Sequence, residues 1–466
     1  SAASDVYKRQ LYDLFNLIEN SAALPAWARE IKLAKKISAT SNTSLIQSLM
    51  TISETHPSPV VRDVFKRIVT VGHLSGTVRE VVERAFAYVF DKLQQRLARL
   101  VEKLDILNGA VMFGFMFLPI MLATVAPLMG QTPLDVFFIS MIIEVPTVLL
   151  MYAFLSHMYP SGFALSTPKP LLIVASMSAV LSLFFVGVYV APIISATLTP
   201  EYLLGTKVEP ELDEYLLYAL VVLSILPATV YSEIWYRRVM NYTKLLRAAT
   251  DAAEVSASLG ANFVSLFERT ASKYGERVER IARSIIEGYR SDVFRKAVVL
   301  RAPSTFHATF IETLLYTLLI GVSPKVLKTL TKSYEVLLNL AERSARVSRT
   351  LEGMIVSLSA MLGFFVRYLE KMFMNFYEMV TEATKAVGTG FGGFTGSIGF
   401  FRFDVNIYHV VSIVTLISIL LVSLFTGKTR GGSLVYGFRT ALISFLVYAV
   451  SRLAVDFFMP TPIPFL

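Results

Sequence analysis

The chain has no cysteine. Disulfides, thiolate metal sites and cysteine nucleophiles are therefore excluded, and the redox compartment stays open. Histidine is scarce. His56, His73, His157, His307 and His409 form no H-x-x-x-H pair, so the sequence predicts no metal site. No G-x-x-x-x-G-K-[ST] loop occurs, so a nucleotide-driven motor has to be another protein. One G-x-G-x-x-G match exists, "GTGFGG" at 388–393, but it lies between two apolar runs rather than after a strand. It reads as a loop whose phenylalanines rest at a lipid interface. The opening "SAASDVYKRQ", 1–10, has the form of neither a signal peptide nor a span, and reads as a foreign leader or a truncated start. No cofactor is expected, and nothing points to an enzyme.

Charge is low and apolar residues are abundant. Of 466 residues 54% are hydrophobic, against about 45–50% in a soluble domain, and the mean hydropathy is +0.57. The excess is gathered into runs of about 20, the length that crosses a bilayer. The first is "LDILNGAVMFGFMFLPIMLATVAPLM", Leu104–Met129. Others follow at Val136–Leu155, Pro170–Pro192 and Tyr215–Tyr236, then a charge-bearing one near 354–376 and two more toward the end. The expectation is an all-α polytopic membrane protein with about seven spans and two helical-bundle domains in the cytoplasm. The divisions are 11–104 (a first polar domain, shortened), 105–236 (four spans), 237–352 (a second polar domain) and 353–466 (three spans).

The net charge of +9 fits the positive-inside bias. Both polar blocks and the "GKTRGG" turn are rich in Lys and Arg, whereas Ala196–Glu214 is acidic. One topology satisfies all of these, with both blocks inside and the acidic loop outside. Nucleic-acid binding is disfavoured, because no aromatics interleave the basic residues.

The two polar blocks resemble each other. With Ser75 set against Ser323, the register holds over roughly 60 residues without a gap, the kind of self-similarity that marks a repeat. Each copy contains a corner. In the first, Gly72 to Gly76 precedes "TVRE", a capping box in which Thr77 caps and Glu80 reaches back, with Arg79 between them. His73 reads as a solvated turn residue there. In the second copy Ser323 caps and Pro324 takes the first helical position. Apolar residues from Val78 to Leu104 recur at three- and four-residue steps, so each corner starts a stalk helix that runs into a span.

Two helical blocks, each with such a corner and a helix feeding a span, are similar to the platform proteins of type II secretion systems and type IV pili, with motifs carried by "HLSGTVREVVERAF" in the first block and "LGANFVSLFERTASKYGERVERIARSIIEG" in the second. The block order most resembles the archaeal branch, the core membrane proteins of archaella and archaeal pili. The second corner departs from the pattern, with "GVSP" in place of a glycine pair. The resemblance implies a non-enzymatic hub in the cell membrane. It implies docking of a cytoplasmic hexameric secretion ATPase, contact with pilin or archaellin subunits, and a homodimer. The candidate partner-binding residues are Gly72, Ser75, Gly76, Arg79, Ser323, Lys325, Lys328, Lys332, Arg343 and Arg346. The last five, with Arg349, line the second stalk, and two uses stay open for them: anionic lipid headgroups or an acidic partner.

Ionisable residues inside spans are costly and face protein or water. Glu144, two residues before Pro146, reads either as part of an ion path or pilin contact, or as one end of an interhelical hydrogen bond. The same two uses stand for Arg452 and Asp456, four apart on one face: a functional contact, or simply a pair with each other. Arg367, Glu370 and Lys371 lie together and mark either a buried site or the end of a shorter span. A secondary transporter is the rival reading, because transporters also carry repeats and buried charges. A membrane-bound sensor would need a ligand or catalytic domain, which the sequence does not show.

Overall fold

The structure is a computed structural model. It describes residues 15–73, 118–198, 213–320, 323–387 and 406–459, apart from positions 17, 128, 130 and 160, with scattered residues between 91 and 115. The described residues form helices and turns, with no strand among them. The helices are α1 (Pro25–Ser41), α2 (Leu45–Thr55), α3 (Pro59–His73), α4 (Pro133–Met158), α5 (Lys169–Thr197), α6 (Glu214–Leu259) and α7 (Phe263–Lys273). They continue as α8 (Glu276–Arg290), α9 (Asp292–Leu300), α10 (Thr305–Ile320), α11 (Pro324–Val387), α12 (Asn406–Gly431) and α13 (Phe438–Phe458).

The chain divides into two compact units. One comprises Ser1–Arg99, Gly162–Ala164 and Arg238–Glu342, and the other Leu100–Ser161, Leu165–Arg237 and Arg343–Leu466. The first thus gathers most of both polar blocks. Its helices are delimited by local signals. Pro25 opens α1, and Asn42 closes it in the left-handed conformation (φ 50°), with its N–H on the Ser38 carbonyl. Ser44 caps α2 by accepting from the Gln47 N–H at 3.2 Å. Gly275 takes φ +117° ahead of α8, a conformation that side chains resist. The α1–α3 bundle closes over Phe15, Ile31, Ala34, Leu49, Ile52, Phe65 and Val69, with Trp27 edge-on to Phe65 at 5.7 Å.

The repeat is visible as helix order: α8, α9 and α10 follow one another as α1, α2 and α3 do. The buried positions follow the gapless register only in part. It sets Ala34 against Ala282, both fully buried, but Leu49 and Phe65 against Ala297 and Thr313, which are half-buried.

The second unit is apolar. Among the described residues, six helical segments are long and apolar enough to cross a bilayer: Pro133–His157, Lys169–Thr197, Glu214–Leu259, Pro324–Phe376, Asn406–Gly431 and Leu434–Phe458. This is a multi-pass membrane protein. About seven spans were expected. The first of these, Leu104–Met129, is described only in part and contributes the shorter apolar helix Leu118–Pro127.

Helix α12 is the hub of this unit. Its most apolar stretch is 83% buried, against 17% for α4, and it packs on α4, α5 and α13. Small residues permit this. A Cβ on Gly427 would lie 2.2 Å from the Gly437 nitrogen, and one on Gly437 would lie 2.2 Å from the Ser423 carbonyl oxygen. The α12–α13 hairpin thus closes backbone against backbone, as small residues allow in membrane bundles.

Candidate functional site

The charged residues of the membrane unit collect into two clusters. The first centres on Arg452 of α13, which is 1% exposed. Its Nη2 lies 2.8 Å from Glu214 Oε1 at the start of α6 and 3.0 Å from Glu370 Oε2 of α11. Its Nη1 donates to Ser412 Oγ of α12 at 2.6 Å. Arg367 lies one turn from Glu370, with Nη1 2.8 Å from Glu370 Oε1 and Nε 2.9 Å from Asp456 Oδ1. Lys371 Nζ is 2.8 Å from Asp456 Oδ1 and donates to the Met459 carbonyl at 2.5 Å. Tyr218 and Tyr215 donate their hydroxyls to Glu214 and Asp456. Three cations thus face three carboxylates, and the cluster is formally neutral.

Local structure explains part of this. Asp213 caps α6, accepting from the backbone N–H groups of Tyr215 and Leu216 at 2.8 and 3.2 Å. Glu214 then sits in the first turn, where the helix dipole favours an anion. From there its carboxylate meets Arg452. Burying an ion costs several kcal/mol unless its partners are well placed. Here every carboxylate has at least two donors, and among the buried side-chain atoms of the cluster only the Arg452 Nε has no partner among the described residues.

One expectation is corrected. Arg452 and Asp456 do not pair with each other. Arg452 turns to Glu214 and Glu370, while Asp456 takes Arg367 and Lys371. Arg367, Glu370 and Lys371 lie together in this cluster, and helix α11 continues past them to Val387. Glu214 escaped the sequence reading because its acidic neighbours placed it in a loop. The signal that could have found it is Tyr218, four residues on and so on the same helix face.

The second cluster lies toward the other ends of the same helices. Arg430 of α12 has Nη2 3.4 Å from Glu233 Oε2 and Nη1 3.8 Å from Glu352 Oε1, and its guanidinium sits 3.9 Å over the Tyr236 ring. Arg439 reaches Glu233 at 3.6 Å, and Thr440 donates to Glu352 at 3.1 Å. Glu214 and Glu233 are 19 residues apart on α6, about 28 Å of helix. Glu352 and Glu370 are 18 apart on α11, about 27 Å. The hydrocarbon core of a bilayer is about 30 Å thick. The two clusters therefore bracket an apolar slab of membrane thickness.

Glu144 sits between them and joins neither. It is 2% exposed, and its Oε1 accepts from Ser418 Oγ of α12 at 2.5 Å. This is an interhelical hydrogen bond, one of the two readings of the sequence. Its Oε2 has no partner among the described residues.

In the polar unit Glu312 is the buried carboxylate. It accepts from Ser21 Oγ at 2.5 Å, Ala22 N at 2.8 Å and Ala23 N at 3.2 Å, tying the start of α1 to α10. His307 is also buried. Its Nδ1 meets Ser304 Oγ at 2.7 Å, and its Nε2 has no partner among the described residues. Burial holds its pKa down at about 4. Tyr274 donates to Asp251 at 2.7 Å, and this bond pushes its hydroxyl up to about 12.

The expected docking residues are placed as follows. Gly72 lies in the last turn of α3, and Ser75, Gly76, Arg79 and the rest of that corner fall outside the described residues, as does "GTGFGG". Ser323 stands immediately before α11, its carbonyl accepting from Val326 and Leu327 at 3.0 and 3.2 Å. Lys325 and Lys332 are exposed, while Lys328 lies 3.1 Å from Glu254. Arg343, Arg346 and Arg349 are exposed. Among the described residues no group of three or more His, Asp and Glu is arranged to hold a metal ion.

No protein-family model, no curated protein and no solved structure matches this chain.

Proposed function

We propose that this protein is a non-enzymatic membrane platform of a type IV filament, archaellum or type II secretion-like assembly machine. In this reading the polar unit lies in the cytoplasm and docks a hexameric secretion ATPase. The spans guide pilin or archaellin subunits out of the bilayer, and two copies form the working platform. The observation that carries the reading is the repeated three-helix order, α1–α3 and α8–α10, in a polar unit attached to a multi-pass membrane unit. A duplicated helical bundle offers two similar surfaces, which suits a symmetric motor better than a small ligand. The missing phosphate loop agrees, since the energy source is then another protein.

The test uses tagged full-length protein in detergent. It should retain a purified hexameric secretion ATPase and turn over no ATP alone. Failure to retain that ATPase, or ATP turnover by the purified chain, would exclude the reading. Sidedness has its own test, helped by the absence of cysteine. A cysteine at exposed Ser272 should be shielded from an impermeant reagent in intact cells, and one at Thr206 should react.

A secondary transporter is the second reading, favoured by one observation: Oε2 of Glu144, buried between the two charge clusters, has no partner among the described residues. Proton or cation flux into liposomes holding the purified protein, lost in Glu144→Gln, would select it.

A further inference from the structure

We infer that Arg343, Arg346 and Arg349 form a binding site for the phosphate groups of anionic phospholipids, on the lipid-facing side of α11. The first observation is direction. The buried residues of this part of α11, Ser348, Leu351, Ile355 and Leu362, mark the side turned toward the bundle. At 100° per residue the three arginines fall in a sector of about 120° on the opposite side. They point away from the protein.

The second observation is what continues that face. Met354 lies three turns beyond Arg343, and Phe364 lies five full turns beyond Arg346. Both are exposed large apolar side chains, at 39% and 47%. A stripe that is exposed and apolar within a span faces lipid tails. The arginines are thus the polar end of a lipid-facing stripe, and not part of a surface turned to water alone.

The third observation is depth. Glu352 belongs to the charge cluster at that edge of the apolar slab. Arg349 and Arg346 lie about 4.5 and 9 Å further along the helix axis, and Arg343 about 13.5 Å. The headgroup region adds roughly 5–8 Å on each side of the hydrocarbon. Arg349 and Arg346 therefore fall within or at the rim of that layer, and Arg343 can reach back to it.

The fourth observation is residue type and pairing. Three other cations at this end are engaged: Arg430 and Arg439 face Glu233, and Lys428 lies 5.1 Å over the Tyr152 ring. The three arginines have no carboxylate within ion-pair distance among the described residues. Further out on α11 the cations are Lys325, Lys328 and Lys332. Arginine presents a planar fork that grips phosphate through two N–H groups, which lysine cannot do. Arginine thus stands where phosphate is expected. An acidic protein would need a face clear of lipid, so the lipid reading is the one this geometry favours.

The test is native mass spectrometry of the full-length protein from mixed micelles of detergent, phosphatidylglycerol and phosphatidylcholine with matched acyl chains. Wild type should retain phosphatidylglycerol in preference. The triple variant R343Q/R346Q/R349Q should lose that preference, by about fivefold per arginine. The triple lysine variant should fall between the two. A control that removes the same charge elsewhere, K273Q/R277Q/R280Q, should behave as wild type. Unchanged elution on size exclusion establishes that the glutamine variant is folded, as expected for exposed positions. Equal retention of both lipids by wild type, or an undiminished preference in the folded glutamine variant, overturns the proposal. So does a glutamine variant that keeps its lipid but loses a co-purifying acidic protein, which would assign the arginines to a protein partner.

Discussion

Ser21 donates its hydroxyl to the Glu312 carboxylate at 2.5 Å, across 291 positions of sequence. The same carboxylate takes the backbone N–H groups of Ala22 and Ala23, so one side chain fastens the first polar block to the second. Glu312→Ala should leave these donors without their acceptor, at a cost of about 1–3 kcal/mol or more. Limited proteolysis should then cut near Ala22–Leu24 faster than in wild type, while Glu312→Gln, which keeps an acceptor oxygen, should be intermediate. Equal cutting in all three would show that the fastening carries no stability.

Arg452→Ala should destabilise the membrane unit by about 3–5 kcal/mol, because Glu214 and Glu370 would be left buried without their shared partner. Adding Glu214→Gln and Glu370→Gln to it should recover part of the loss. The readout is the midpoint of thermal aggregation in detergent. A triple variant less stable than Arg452→Ala alone would overturn the pairing.

Gly437→Ala should shift the α12–α13 hairpin, since the new Cβ would sit 2.2 Å from the Ser423 carbonyl oxygen. Overpacking of this sort costs about 1–3 kcal/mol. Gly187→Ala is the contrast, exposed on α5 with no atom within 4 Å of the new Cβ. It should be neutral or slightly stabilising, given the better helix propensity of alanine. The same aggregation midpoint separates the two.

His307 gives the polar unit a pH signature. Its folded pKa, about 4, lies below the ordinary value of 6.5, so the unfolded chain binds the proton first. The associated stability is fully present above pH 6.5 and is lost as pH falls toward 4, to a total of about 3 kcal/mol. His307→Gln should flatten this part of the profile. The check is the difference between wild-type and variant denaturation midpoints across pH 4–7. A constant difference would mean that the imidazole is not held neutral.

Span positions were legible because apolar runs near 20 residues admit few other structures. What surrounds each span was not. Lys169–Thr197 and Asn406–Gly431 have equal mean hydropathy, yet the first is 28% buried and the second 83%. Hydropathy registers the dislike of water and not which apolar neighbour is chosen. The available signal was Ser412, Thr415, Ser418, Ser423, Thr426, Gly427 and Thr429, small residues spaced along α12 where other helices come close. The ion network was half legible. Arg367, Glu370, Arg452 and Asp456 stood out as charges within apolar runs. Their partners did not, because pairing between helices depends on which faces meet, and a four-residue spacing on one helix is a weak substitute. Glu312 carried no local mark, since its donors come from a loop far away in the chain.

The charge cluster around Arg452, three cations against three carboxylates, has an electrical consequence. A membrane potential does work of about 2.3 kcal/mol per elementary charge per 100 mV only on net charge that moves through it. Arg367, Lys371 and Arg452 together with Glu214, Glu370 and Asp456 sum to zero. The helices they join can tilt or slide together without drawing on the cell's voltage or being driven by it. To the field across the bilayer, this end of the protein is silent.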